Sequence, residues 1–507
     1  MRPQHILAAL LLAVGGAGLV SAWSARTFVS HYNFVLGTSL DISIAASSPH
    51  AARRAEAGAL AEIDRLASIL SAYDPSSEFS RWVRTRDTAE PVSVELFDIL
   101  QRFDHWRAET GGALDASAET VSRVWKAAAS AGRVPTDREV SAAVDHVRRV
   151  HWRLDPVLRT ATHTDDAPLV LNSFTKSYIV DRAAAIGMRE PGVSGIVVNI
   201  GGDVVVRGSW TETVSVADPL ADAENGAPLT RLAVRDRAVA TSGGYRRGFD
   251  IAGTHYSHIV DPRTGRPTGH VLSATVIAPA GVDAGALATA MCVLSPDESV
   301  RLASVVPGAE FLLVQADGRR VQSAGWQRLT VPSPRPVMAF GPTLHAAGQA
   351  MWKAGLELTV TLEIVQQPTR AERPYVAVWI EDANRAPVRT LALWYAPDES
   401  RFMQDLRVWH RADRARVQAG GRELMGSVSS ATRAPGKYTL TWDGKDDAGR
   451  VVKAGTYTVF IEAAREHGTY QILRKEMDFS GTPARVDLPG GLEITSASLD
   501  YHRVVAR

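Results

Sequence analysis

One break in the sequence sets what this chain can fold into. Between Val331 and Ala354, Pro332, Pro334, Pro336 and Pro342 precede a small-residue stretch. Proline fixes φ and removes an amide donor, so neither a helix interior nor a central strand runs through such a segment. The chain has 507 residues, whereas single cores stop growing near ~250–300. The break is therefore read as a linker over residues 333–354, joining a domain at 28–332 to a second at 355–507.

The two halves carry different periodicities. Before the break, Tyr32 to Ala46 alternates like a strand pair, and Ala51 to Ser71 places apolar residues at helical spacing. Strands are expected at Gly195–Arg207, Thr213–Ala217, Leu232–Ser242, His255–Val260 and Ser273–Ala278. Helices are expected at Val94–Thr110, Thr136–Val147, Lys176–Met188 and Asp283–Leu294. That interleaving predicts an α+β domain. After the break, short strands at Leu356–Val365, Val376–Trp379, Val388–Leu393, Gly436–Trp442 and Thr456–Ala463 are separated by turns such as Asp443-Gly444. Such spacing without long helices predicts an all-β, immunoglobulin-like sandwich.

Met1, Arg2 and His5 precede an apolar run from Ile6 to Val20 that ends in Val20-Ser21-Ala22. This pattern reads as a signal peptide over residues 1–22, or at most an N-terminal membrane anchor, and places the body in the periplasm. The one cysteine, Cys292, excludes an intramolecular disulfide, and no cysteine near Ala22 offers a lipid site. A formal net charge of +1 gives no field for a polyanion, so nucleic acid is not an expected partner.

The residues with chemical promise fall between Leu171 and Thr289. An apolar strand ends in Asn199-Ile200-Gly201-Gly202-Asp203, then come Ala240-Thr241-Ser242-Gly243-Gly244-Tyr245-Arg246-Arg247 and Ser257-His258-Ile259-Val260-Asp261-Pro262-Arg263-Thr264-Gly265-Arg266-Pro267. A small-residue turn followed by arginine suits a phosphate, and a histidine at a strand end suits proton transfer. A tight turn, a core histidine and a hairpin would give the same three patterns.

Taken in order, these segments resemble the FAD:protein FMN transferase (ApbE) family. The resemblance also takes in Leu36-Gly37-Thr38, Leu70-Ser71-Ala72-Tyr73-Asp74, Gly111-Gly112-Ala113-Leu114-Asp115, Lys176 to Asp181 and Asp283 to Ala290, some three-fifths of the chain. It implies a reaction that splits FAD, attaches FMN through a phosphoester to Thr or Ser of an exported redox protein, and releases AMP. It further implies Mg²⁺ at the phosphates. Carried over by position, Tyr73 flanks the isoalloxazine and Ala113, Leu114 and Asp115 line the flavin site. Leu36, Lys176, Asp181 and Arg246 complete the FAD contacts, and His258 accepts the proton. Thr289 and the carbonyl of Ser173 supply metal oxygens.

The metal site departs from the family pattern. An aspartate is expected four residues before Thr289, where both oxygens meet one ion, and that position is Gly285. Asp283 stands six residues before Thr289, about 600° around a helix at ~100° per residue, hence some ~120° off that face. It serves as a ligand only if it sits in the preceding loop. Val170 replaces a further aspartate six residues before Lys176, and Leu36 replaces a methionine.

The second domain resembles a periplasmic domain often fused to these transferases. Within it, Ser427-Val428-Ser429-Ser430-Ala431-Thr432 resembles the acceptor motif of flavinylated proteins and makes Thr432 a possible acceptor. Two other functions fit the same sequence: an FAD-binding protein without transfer activity, and a scaffold or adhesion module built on the sandwich.

Overall fold

The computed structural model describes residues 26–221, 223, 225–244, 248–332, 350–365, 374–394, 405–418, 429–430, 433, 435–465 and 469–504. The segment read as a signal peptide and most of the 333–354 linker lie outside them. Among the described residues no helix is long and apolar enough to cross a membrane.

The first domain is organised by one eight-stranded, wholly antiparallel sheet. Its strands are β1 (Arg26–Val35), β2 (Thr38–Ala46), β3 (Val193–Ile200), β4 (Asp203–Gly208), β5 (Ala238–Gly243), β6 (Val271–Ala278), β7 (Glu310–Gln315) and β8 (Arg320–Gln322), paired in that order. Hairpin turns fix the register of its first half. Leu36 and Gly37 take φ of 50° and 78°, and Gly201 and Gly202 take 57° and 95°. Two consecutive positive φ values make the two-residue turn whose twist matches paired strands. The expected single strand from Gly195 to Arg207 is thus a hairpin, because the two glycines reverse the chain.

Period-two alternation buries one face of β2 through Leu40, Ile42, Ile44 and Ala46. That face is covered by α1 (Pro49–Leu70), α5 (Thr175–Met188) and α6 (Gly281–Met291) in one continuous core. Ser48 starts α1 by accepting the Ala51 amide at 3.2 Å, with proline at the first position. The opposite face carries Val197, Val206, Val239 and Ile277 in a second core, closed by Trp326 and a small sheet of Glu212–Val216, Thr230–Val234 and Thr330–Val331. Helices α2 (Val94–Glu109), α3 (Glu119–Ser130) and α4 (Asp137–Val147) surround the edge where the loops gather.

The second domain is a two-sheet sandwich. One sheet holds β12 (Gly436–Trp442), β9 (Leu356–Ile364), β16 (Ile494–Arg503) and β15 (Ala484–Leu488), and the other is centred on β11 (Pro387–Trp394), β10 (Tyr375–Asp382), β13 (Thr456–Ala464) and β14 (Tyr470–Asp478). Between them Trp352, Trp442, Tyr457, Phe479 and Tyr501 pack as one aromatic cluster. The domains touch where the Asn225 amide bonds both backbone groups of Thr441 on β12, each at 2.9 Å.

One helix departs from the all-β expectation. Segment α7 (Arg407–Gln418) carries several arginines and is polar overall, and Trp409 near its start is buried in a core cluster with Leu406. Its start is held by the fully buried Glu462 of β13, whose oxygens accept the amides of Val408 at 2.9 Å and Trp409 at 2.8 Å, and the Tyr470 hydroxyl at 2.8 Å. An anion at a helix start satisfies amides that lack helical partners. Glu462→Ala strands one buried and two part-buried donors, so the second domain should lose about 3 kcal/mol. Hydrogen exchange should then accelerate selectively at 407–418, and unchanged protection there would refute the role.

Candidate active site

A cavity of about 510 Å³ opens where five segments of the first domain converge. They are the 113–119 loop, the start of α5, the end of β5, the turn after Ser257 and the end of α6. Of the residues expected at a flavin site, it gathers Ala113, Leu114, Asp115, Ser173, Lys176, His258 and Thr289. Sequence distance between them exceeds 170 positions, so only the sheet makes them neighbours.

At the inner end is a cluster of neutral oxygens. The Thr289 hydroxyl donates to the Ser173 carbonyl at 2.9 Å and lies 3.3 Å from Ser242 Oγ. Ser242 was not singled out from the sequence, although its turn was. Helix α5 starts beside this cluster with no side-chain cap at Phe174, and Asn172, Ser173 and Lys176 around that start line the cavity. Lys176, in its first turn, lines the same wall with Nζ 3.4 Å from Asp203 Oδ2. Ser177 Oγ donates to that oxygen at 2.9 Å. Burial pushes the Asp203 carboxyl up, while Lys176 and Ser177 oppose the shift. The function of Asp203 was not legible, since a strand-ending aspartate after two glycines reads as a turn.

His258 is exposed at the mouth, between the short strands Thr254–Ser257 and Val260–Asp261. Ser257 Oγ accepts the Ile259 amide at 3.0 Å, which braces the turn on both sides of the imidazole. Tyr73, 79% exposed, lines a second cavity rather than this one, and its hydroxyl accepts from Asn172 Nδ2 at 2.6 Å; Asn172 itself lines the cavity.

Other expected contacts are placed differently. Asp115 reaches the cavity, but its carboxylate is turned inward: Arg107 Nε is 2.8 Å away, and the Ser117 amide and hydroxyl donate at 2.8 and 2.6 Å. It shapes the loop rather than presenting charge. Leu36 occupies the β1–β2 turn and does not line the cavity. Asp181 is spent on α6, accepting the Gly281 amide at 2.8 Å, and on Arg207 at 2.6 Å. It does not line the cavity either. Arg246 and Thr432 lie outside the described residues.

Asp283 also fails to join the cluster. It sits inside the first turn of α6, not in the preceding loop, and does not line the cavity. Burial pushes its carboxyl up, and the charges acting on it are Arg102, His105 and Asp181. Among the described residues no three His, Cys, Asp or Glu side chains gather to hold a metal ion.

Comparison with known proteins places the first domain in a family. Residues 36–313, more than half of the chain, match the ApbE family. The chain belongs to that family. Residues 357–496 match a second family, described as "Predicted periplasmic protein (DUF2271)". Among curated relatives, the FAD:protein FMN transferase of Treponema pallidum is 28% identical over 351 residues, covering 63% of this chain and 92% of the relative. The Escherichia coli K12 protein of the same name is 27% identical over 251 residues, 47% of this chain and 70% of its own. Among solved structures, the ApbE protein of Thermotoga maritima superposes with a TM-score of 0.53 at 25% identity, covering 61% of this chain and all (100%) of the other. The Pseudomonas stutzeri flavinyl transferase ApbE shares the fold, with a TM-score of 0.50, 21% identity, and coverage of 61% and 99%.

The Thr289 hydroxyl ties the ends of α5 and α6 within this ApbE-type site. Thr289→Val leaves the Ser173 carbonyl without its donor and should cost about 1 kcal/mol, whereas Thr289→Ser should retain most of it. Thermal unfolding of both variants checks this, and equal losses would show that the methyl, not the hydroxyl, matters.

Proposed function

We propose that this chain is a FAD:protein FMN transferase that acts on a Ser or Thr hydroxyl of an exported protein. The observation that carries the reading is the union of an imidazole, an ammonium and an uncapped helix start around one cavity. FAD enters as substrate. The acceptor hydroxyl attacks the phosphorus on the flavin side, a new P–O ester bond forms, and the bond to the bridging pyrophosphate oxygen breaks with its electron pair leaving on AMP. His258 takes the hydroxyl proton, a role suited to a group that titrates near neutrality. Lys176 and the first amides of α5 meet the phosphate charge that grows as the bond breaks. Ala113 and Leu114 give the flavin an apolar wall, and Tyr73, bonded to Asn172 of that wall, reaches it from the second cavity.

The family resemblance implies magnesium at the phosphates. A hard dication takes carboxylates together with carbonyls and waters. The cluster offers one carbonyl and two hydroxyls, position 285 carries no side chain, and Asp283 does not face it. The residues do not fit a preformed magnesium site, and no step here passes through one.

Export to the periplasm is supported by the pattern of residues 1–22 and by the description of the second family. The acceptor is a separate redox protein, with Thr432 an intramolecular alternative.

Incubation with FAD and an acceptor peptide should release AMP and add the mass of FMN to one hydroxyl. His258→Ala should lower turnover about 100-fold or more, the usual scale of general-base loss, and leave FAD affinity nearly unchanged. No AMP release at any acceptor concentration would remove the transferase reading in favour of a protein that binds FAD without transferring it.

A further inference from the structure

The contact between α5 and α6 decides which charges can reach the inner end of the cavity. Gly281, Gly285 and Thr289 recur every four residues and share one face of α6. A Cβ at Gly285 would stand 2.5 Å from Ser177 Oγ, 3.1 Å from Ser177 Cβ and 3.2 Å from Phe174 Cα. One at Gly281 would stand 2.5 Å from the Ser177 carbonyl. Backbone cannot yield as a long side chain can, so the helices are locked at a spacing that only glycine allows.

The place where a carboxylate one turn before Thr289 would start is therefore filled by Ser177. That serine is itself committed, because its hydroxyl donates to Asp203 at 2.9 Å beside Lys176 Nζ. The remaining carboxylates near the cavity are also engaged. Asp115 holds Arg107 and Ser117, and Glu119 accepts from Arg123 at 3.2 Å. The oxygens left facing the Thr289 end are neutral, whereas the cation already in the wall is an ammonium.

We infer that in this chain Lys176, braced by Asp203 and Ser177, is the cation that meets the FAD pyrophosphate, and that FAD binding needs no divalent ion. Ser177 and Gly285 act as a packing pair that excludes the metal carboxylate. The inference rests on the flavin reading above and goes beyond it by naming what replaces the metal. Neutral oxygens alone bind Mg²⁺ weakly, because it gives up its waters reluctantly. A lysine ammonium contacts phosphate as a point charge and requires no such dehydration of a dication.

Calorimetric titration of the full chain with FAD, in EDTA and in millimolar MgCl₂, is the primary test. The two dissociation constants should agree within about twofold, and Lys176→Met should weaken binding about tenfold or more in either buffer, the scale of one charged hydrogen bond. In parallel, Mn²⁺ is titrated into nucleotide-free protein and read by electron paramagnetic resonance. Wild type and Gly285→Asp should show no bound ion, and the single variant should melt earlier. Ser177→Gly combined with Gly285→Asp should create an Mn²⁺ site. Tight Mn²⁺ binding by wild type, FAD affinity that rises tenfold with Mg²⁺, or an unaffected Lys176→Met protein would each overturn the inference. Should the double variant not fold, the wild-type and Lys176→Met titrations decide. FAD binding that demands Mg²⁺ would leave the flavin reading standing, whereas no FAD binding in either buffer would remove both.

Discussion

The close approach of α5 to α6 is the constraint on which the rest of the first domain depends. Helix α5 follows the loop that forms one cavity wall, and α6 follows β6, the sixth of the eight strands of the antiparallel sheet. Their contact runs through the Ser177 carbonyl and hydroxyl against Gly281 and Gly285, and ends where Thr289 donates to Ser173. The same contact aims the start of α5 at the cavity. Widening it would carry Lys176, Ser173 and the Thr289 hydroxyl apart together, so core packing and the shape of the cavity are one feature. Asp181 reinforces it from the far end by accepting the Gly281 amide, which explains why a residue inside a motif of the flavin site stands outside the cavity.

Charge follows from that geometry. Burying the Asp203 carboxylate costs several kcal/mol unless partners compensate, and burial pushes its carboxyl up accordingly. Lys176 and Ser177 are those partners. Lys176 remains one-third open, with its side chain 34% exposed, whereas that of Asp203 is 12% exposed. One side of the ammonium is thus held by a fixed anion and the other is presented to the cavity. A lysine left to solvent would lose rotamer freedom on meeting a phosphate, whereas one already held has less to lose.

Much of this architecture was legible because it is written in periodicity. The alternation before Ala46, the helical spacing after Ala51 and the turns around Asp443 all name their elements, and Gly436–Trp442 is recovered with its limits. Boundaries failed where glycine pairs reverse the chain, as at Gly201-Gly202, since a strand pattern on both sides hides the turn. Helix α7 escaped because its cause lies elsewhere in the sequence: Glu462, on a strand, holds its first amides. Local pattern cannot report a partner more than fifty residues away.

The site divides along the same line. Resemblance by position found residues whose backbone or side chain borders the cavity, among them Ala113, Lys176, His258 and Thr289. It could not tell which way a side chain turns once there. Asp115 borders the cavity while its carboxylate answers Arg107, and Asp283, two residues before the position where the family carries its aspartate, does not line the cavity. The decisive position is one with no side chain at all. Gly285 looks in sequence like a ligand lost, but the structure shows Ser177 occupying its space and holding Asp203 in turn. The space one turn before Thr289 is thereby given to a serine hydroxyl that braces the Asp203 and Lys176 pair spanning α5 and β4. On the inference drawn above, the ammonium of that pair draws a pyrophosphate to the start of α5 without a divalent ion.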